Sequence, residues 1–159
     1  MDLEIGGKGA PQYLWQEKEV VPFLKIDKGL EEENNGVQIM KPNPDLELTL
    51  ERAIKKDIFG TKMRSVIKNT NEEGVTAIVK QQFETAKKII SAGLYPIIEP
   101  EVDINCENKS EIEDILLKHL LDNLKQLDSS QKVLLKLTLP NTNDLFKPCV
   151  NHPNVMKVF

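Results

Sequence analysis

Ionisable residues recur at alternate positions inside four short apolar segments, and this is where chemistry can be read. "VVPFLKID" (20–27) carries Lys25 and Asp27, and "IFGTKMRSVI" (58–67) carries Lys62 and Arg64. "LYPIIEPEV" (94–102) carries Glu99 and Glu101, and "QKVLLKLTLP" (131–140) carries Lys136 with Thr138 beside it. In a strand, residues two apart share a face. Each segment therefore aims its polar groups one way and its apolar alternates (Leu24, Ile26, Ile98, Leu135, Leu137) mostly the other. A single lysine at a strand end is ordinarily a solvated or snorkelling side chain. Four segments repeating the pattern with one parity point to a shared polar site. Lys25, Lys62, Glu99 and Lys136 are also each 37 residues apart, which suits a strand-plus-helix unit, although the units show no repeated sequence.

The chemistry that suits this set is imine formation. A lysine is a nucleophile only when neutral, and an ordinary lysine is neutral in roughly one molecule in 2,500 at pH 7. Making the neutral amine available takes about 4 kcal/mol. A neighbouring cation at roughly 4–6 Å supplies about 3–4 kcal/mol at an effective dielectric near 20. Lys62 and Arg64, with partial burial among leucines, could do this for Lys136. Glu99 could shuttle protons as water leaves a carbinolamine, and Glu101 is a second candidate. The surplus of cations suits an anionic, phosphorylated substrate. Spacing does not choose the nucleophile; Lys136 is favoured because its strand is the most apolar.

These residues need elements to carry them. The four segments read as strands, the second more weakly than the others. Between them, Asp45 can cap a helix whose face holds Leu46, Leu50, Ala53 and Ile54. Glu72 to Ala92 repeats apolar residues at helical spacing, with Gly93 as a stop. Ser110 with Glu113 reads as a capping box opening a helix that buries Ile112, Ile115, Leu116, Leu120 and Leu124. A short helical stretch near Asn143–Asn151 and the strand "VMKVF" close the chain, and "GGKGAPQYLWQEKE" reads as an irregular lead-in. Strand alternating with helix predicts an α/β protein with a parallel sheet, its strands largely apolar on both faces as helix-covered parallel strands are. No Rossmann or Walker glycine pattern follows any strand. A barrel, or part of one, is favoured over a nucleotide-binding doubly wound sheet. In such a barrel the C-terminal strand ends meet at one mouth, where the seven charged residues would gather.

With 159 residues and 40% apolar content, the chain is long enough for one domain with a real core. A net charge of −4 argues against a general nucleic-acid binder. Cys106 and Cys149 make neither a metal spacing nor a disulfide framework, so a reducing cytoplasm is the expected compartment. His119 and His152 are too few for a histidine zinc site. No apolar run approaches the roughly 18–20 residues that span a bilayer, and the first ten residues lack a signal-peptide layout.

"VVPFLKIDKGLEEENNGVQIMKP", "DIFGTKMRSVI", "YPIIEPEV" and "KVLLKLTLP", in that order, resemble the short bacterial-type class I fructose-bisphosphate aldolases over nearly the whole chain. The resemblance implies a (β/α)₈ barrel that reversibly cleaves fructose 1,6-bisphosphate to dihydroxyacetone phosphate and glyceraldehyde 3-phosphate in glycolysis. It implies Lys136 as the Schiff-base lysine, Glu99 as general acid/base, and Lys62 as the cation that positions substrate and tunes Lys136. Lys25 and Arg64 match substrate- and phosphate-contacting positions, and Asp27 and Glu101 match polar residues of the same pocket. It implies no metal and no other cofactor, because class I enzymes use the imine as electron sink. The four segments weigh against other Schiff-base barrels, such as a transaldolase or deoxyribose-phosphate aldolase.

The likeness stops short of a whole barrel, which typically needs about 250 residues. Strands three to six and the start of seven are matched. The family's first-strand aspartate, its Ser-Gly-Gly phosphate loop and its eighth-strand arginine have no counterpart here. Residues 1–159 are thus expected to form a single incomplete barrel domain, lacking N- and C-terminal units. Two readings follow: an aldolase of which this chain is part, or a catalytically inactive half-barrel remnant of an aldolase gene. The expected partner is a phosphorylated ketose or triose, with no nucleic acid or membrane, and homo-oligomerisation stays open.

Overall fold

The structure, a computed structural model, describes residues 1–159. Its elements in chain order are β1 (Glu4–Ile5), β2 (Lys8–Gly9), α1 (Ala10–Lys18), β3 (Phe23–Lys25), β4 (Val37–Gln38), α2 (Leu46–Lys55), β5 (Gly60–Ile67), α3 (Glu72–Ser91), β6 (Tyr95–Val102), α4 (Lys109–Leu124), β7 (Val133–Leu135), α5 (Lys147–Val150) and β8 (Val155–Val158). Five strands run parallel in the order β3-β5-β6-β7-β8, and β4 lies antiparallel against the end of β5. The alternation of strand and helix read from the sequence is present, and the parallel sheet with it.

Alternation in β5 and β6 explains the layering. Thr61, Met63, Ser65 and Ile67 of β5 are fully buried on one face, with Ile98 and Val102 of β6 and Val133 and Leu135 of β7. Across from them, α3 buries Val75, Ile78, Val79, Phe83, Ala86 and Ile89, a stripe at helical spacing. α4 adds Ile112, Leu116, Leu120 and Leu124. Each such apolar side chain contributes about 1.5–3 kcal/mol on burial. These helices cover one side of the sheet, and the charged parity faces the other.

The start of β5 requires glycine. A Cβ on Gly60 would lie 2.1 Å from the Tyr95 carbonyl oxygen and 2.6 Å from the Phe23 ring. Only a residue without a side chain lets β5 enter between β3 and β6 there.

Three local expectations are corrected. The N-terminal lead-in is ordered: β1 and β2 form a hairpin turned by Gly6 and Gly7, both at positive φ, and α1 follows with a proline in its first turn. The Ser110–Glu113 capping box does not form. α4 begins two residues earlier, with Asn108 rather than Ser110 at its cap position, and Glu113 turns to a buried lysine instead. Asp45 does stand before α2, but its side chain makes no capping bond. The cap that does form by side chain is Asn71, which accepts from the Gly74 N–H at 2.9 Å at the start of α3.

The face opposite the helices is open. Phe23, Phe59, Ile97, Leu134, Lys157 and Phe159 help line a cup of about 610 Å³ there, and Phe159 is 53% exposed. No helix of the structure is long and apolar enough to cross a membrane.

Candidate active site

Glu99 lies at the centre of the charged face. Its side chain is only 3% exposed, and each carboxylate oxygen meets a different lysine. Lys136, one step beyond the Ile98–Leu135 pair of β6 and β7, donates from Nζ to Oε1. Lys62 of β5 brings Nζ to 2.8 Å from Oε2. The second contact is an ion pair without hydrogen-bond alignment, so Oε2 accepts no hydrogen bond although it is buried. A buried carboxylate needs compensating charge, and here it comes from both flanking strands.

The other residues of the charged parity converge on the same end of the sheet. Arg64 lies 3.3 Å from Glu101. Lys25, in register with Lys62, donates to Asp27, whose side chain is 4% exposed. Four cations (Lys25, Lys62, Arg64, Lys136) and three carboxylates (Asp27, Glu99, Glu101) thus stand on this face, with a fourth carboxylate, Asp103, beside Glu101. Lys136 itself is 52% exposed at its side chain, so its amine faces the open side.

Lys136 is held from its own strand. Its N–H donates to the Ile98 carbonyl at 2.9 Å. Two residues on, Thr138 Oγ1 accepts from the Val102 N–H at 3.1 Å and donates to the Val102 carbonyl at 2.9 Å. The hydroxyl extends the β6–β7 seam past the last paired residue. A cavity of about 390 Å³ opens here, lined among others by Glu99, Glu101, Asp103, Lys136 and Thr138. Amine, carboxylate and second cation around an open cavity can form and break carbon–nitrogen bonds.

Comparison with known proteins bears on this arrangement. No family model matches the chain. Over 158 residues, 99% of its length, it is 53% identical to the class 1 fructose-bisphosphate aldolase of Synechocystis sp. (strain ATCC 27184 / PCC 6803 / Kazusa). The chain resembles half of a class 1 fructose-bisphosphate aldolase. It covers 53% of that relative. A solved fructose-bisphosphate aldolase from Plasmodium falciparum, in a ternary complex with TRAP and a small-molecule inhibitor, superposes with a TM-score of 0.66 over 98% of this chain and 54% of that one. At 16% identity this second likeness concerns the fold. The five parallel strands are arranged as in part of an aldolase barrel.

Three supports of this aldolase-like face are not among the residues expected from the sequence. Gln82 and Gln81 on α3 each turn a side-chain amide onto the backbone of a distant residue, Glu99 and Met40 respectively. The third is a buried pair, Lys109 and Glu113, that grips the loop leaving β7 at the Leu139 carbonyl and the Asn141 N–H. A signal for Gln82 was present: it interrupts the apolar stripe of α3 at a buried position. Lys109 and Glu113 stand at i,i+4, which ordinarily marks a surface pair.

Proposed function

We propose that this chain carries the imine-forming part of a class I, Schiff-base fructose-bisphosphate aldolase, a cytoplasmic lyase of glycolysis. The observation that carries the reading is the buried Glu99 carboxylate shared by Lys136 and Lys62. The 53% identity to a class 1 aldolase supports it.

In this reading the neutral Lys136 amine attacks the ketose C2 carbonyl, and the carbonyl electron pair moves to oxygen, which takes up a proton. Glu99 accepts the proton lost from nitrogen and gives one to the carbinolamine hydroxyl, so that water leaves and the protonated imine forms. The imine draws the electron pair of the C3–C4 bond as that bond breaks, the C4 hydroxyl gives up its proton to water as its C=O bond forms, and the aldehyde product departs. Protonation of the resulting enamine and addition of water return Lys136 and release the ketone. Lys62 holds positive charge beside the reacting nitrogen. Lys25 and Arg64 receive substrate phosphate, Glu101 lines the cavity beside Lys136, and Asp27 holds Lys25 from a neighbouring cavity.

Borohydride reduction of the 159-residue chain with dihydroxyacetone phosphate, followed by peptide mapping, tests this. Stable label on the Lys136 peptide is expected, and none in Lys136→Ala. An unlabelled wild-type chain would overturn the assignment.

A second reading is favoured by the open inner face. The chain spans about half the length of the relatives it matches. It would then be a half-barrel without turnover. Purified chain is expected to cleave little or no fructose 1,6-bisphosphate. Cleavage abolished by Lys136→Ala would remove this second reading.

A further inference from the structure

Gln82 lies on α3 in the helix layer, on the far side of the sheet from the charged face, and it is fully buried. Its neighbours along the inward stripe are Ile78, Val79, Phe83 and Ala86. An amide among such residues is unfavourable unless its polar atoms are satisfied. All the bonds it makes lead to β5 and β6. Oε1 accepts from the Glu99 N–H at 2.8 Å. Nε2 donates to the Glu99 carbonyl at 3.0 Å and to Ser65 Oγ at 3.0 Å. One side chain therefore grips both backbone polar groups of the residue whose carboxylate lies between Lys136 and Lys62. Ser65, fully buried on β5, fixes the amide from a second strand.

We infer that Gln82 is a positioning residue: it sets the Glu99 backbone from behind the sheet, and so fixes the carboxylate against Lys136. The inference rests on the imine-forming role proposed for these two residues. The Glu99 side chain leaves its Cα toward the open face while the clamp acts on its N–H and C=O. A shift of the backbone at that point moves the carboxylate relative to both lysines. Displacements near 1 Å are enough to slow a positioned proton transfer by roughly 100-fold. Packing alone would be met by a leucine or methionine in the stripe. The amide adds direction, because it matches one donor and one acceptor of a single residue.

The test uses the 159-residue chain with Gln82→Met, which keeps the volume and removes the hydrogen bonds, and Gln82→Glu, which as a neutral buried acid keeps one donor and one acceptor. Two measurements are made on each. The first is the rate of borohydride-trapped adduct at Lys136 as a function of dihydroxyacetone phosphate concentration. The second is hydrogen exchange of the Glu99 amide. Gln82→Met is expected to lower the saturating trapping rate roughly 10- to 100-fold with the half-saturating concentration unchanged, and Gln82→Glu to recover part of it. The Glu99 amide should exchange roughly tenfold faster or more in Gln82→Met, with amides at the far end of β6 unaffected. Equal trapping rates in folded Gln82→Met and wild type overturn the inference and leave the imine reading standing. A wild-type chain that traps nothing removes the imine reading. Glu99 amide exchange then decides the positioning, and an unchanged rate overturns it. A Gln82→Met chain that loses its circular-dichroism signal marks Gln82 as a packing residue only, which also overturns the inference.

Discussion

Lys62 pairs with Glu99, although the residue in register with Lys62 on β6 is Ile97. Arg64 shows the same offset: it stands opposite Glu99 and reaches Glu101. Both cations of β5 reach two residues further along β6, toward the C-terminal ends of the strands. Side chains lean along a strand as well as out of it, and this lean leaves Glu99 Oε1 to Lys136 alone.

Removing the charge of Glu99 should therefore leave two lysines facing each other without a counter-ion. Glu99→Gln is expected to slow formation of the trapped Lys136 adduct by about 100-fold, within the range for loss of a general acid/base. The initial rate of adduct formation, read by intact mass after reduction, checks this. An unchanged rate would remove Glu99 from the chemistry.

The Lys109–Glu113 pair predicts a large stability effect far from any substrate. Glu113 is 0% exposed at its side chain, and its Oε2 accepts from the Asn141 N–H at 3.0 Å. Glu113→Leu leaves the buried Lys109 ammonium and the Asn141 N–H without that partner. A cost of about 3–5 kcal/mol is expected, seen as a lower urea midpoint. Lys109→Met combined with Glu113→Leu should recover part of the loss, because an apolar pair carries no unpaired charge.

Burial pushes the Cys149 thiol up to about 11. Below about pH 8.5 folded and unfolded chains both keep this proton, and the group adds no pH dependence. Between there and pH 11 the unfolded chain releases a proton that the folded chain retains. Stability therefore falls as pH rises, by at most about 1.4 kcal/mol per pH unit from this group. Denaturant melts of wild type and Cys149→Ala from pH 8 to 10.5 should diverge in that sense. At pH 8 the folded chain should alkylate at Cys149 far more slowly than the unfolded chain.

The open cup beside Phe23, Ile97, Leu134 and Phe159 should bind an apolar dye. The 159-residue chain alone is expected to enhance anilinonaphthalene sulfonate fluorescence and to elute at a concentration-dependent size, since β3 and β8 leave their outer edges unpaired. Phe159→Asp should weaken both effects. A dye-silent chain that stays monomeric at every concentration would show the face to be covered in solution.

The strand–helix order from β5 onward, the helical stripe of α3 and the common face of Lys25, Lys62, Glu99 and Lys136 were legible in the sequence. They depend on periods of 2 and 3.6 residues, which neighbouring residues encode without reference to the rest of the chain. The hairpin and helix of residues 4–18 were not legible, because glycine composition looks the same in an irregular lead-in and in a tight turn at positive φ. The α4 cap was misread for a related reason. Ser110 and Glu113 have the right spacing for a capping box, but Glu113 finds Lys109 and the Asn141 N–H in the buried space behind β7.

What the sequence determined by itself, then, is which residues share a face, although Lys62 stands in the first half of β5 and not at its C-terminal end. Tertiary structure decided the pairing: that Glu99 takes Lys136 on one oxygen and Lys62 on the other, and that Gln82 holds the Glu99 backbone from the opposite layer. Periodicity is local, whereas a pairing depends on the stagger between strands and the docking of a helix some 17 residues away in sequence, at contact distances of about 3 Å.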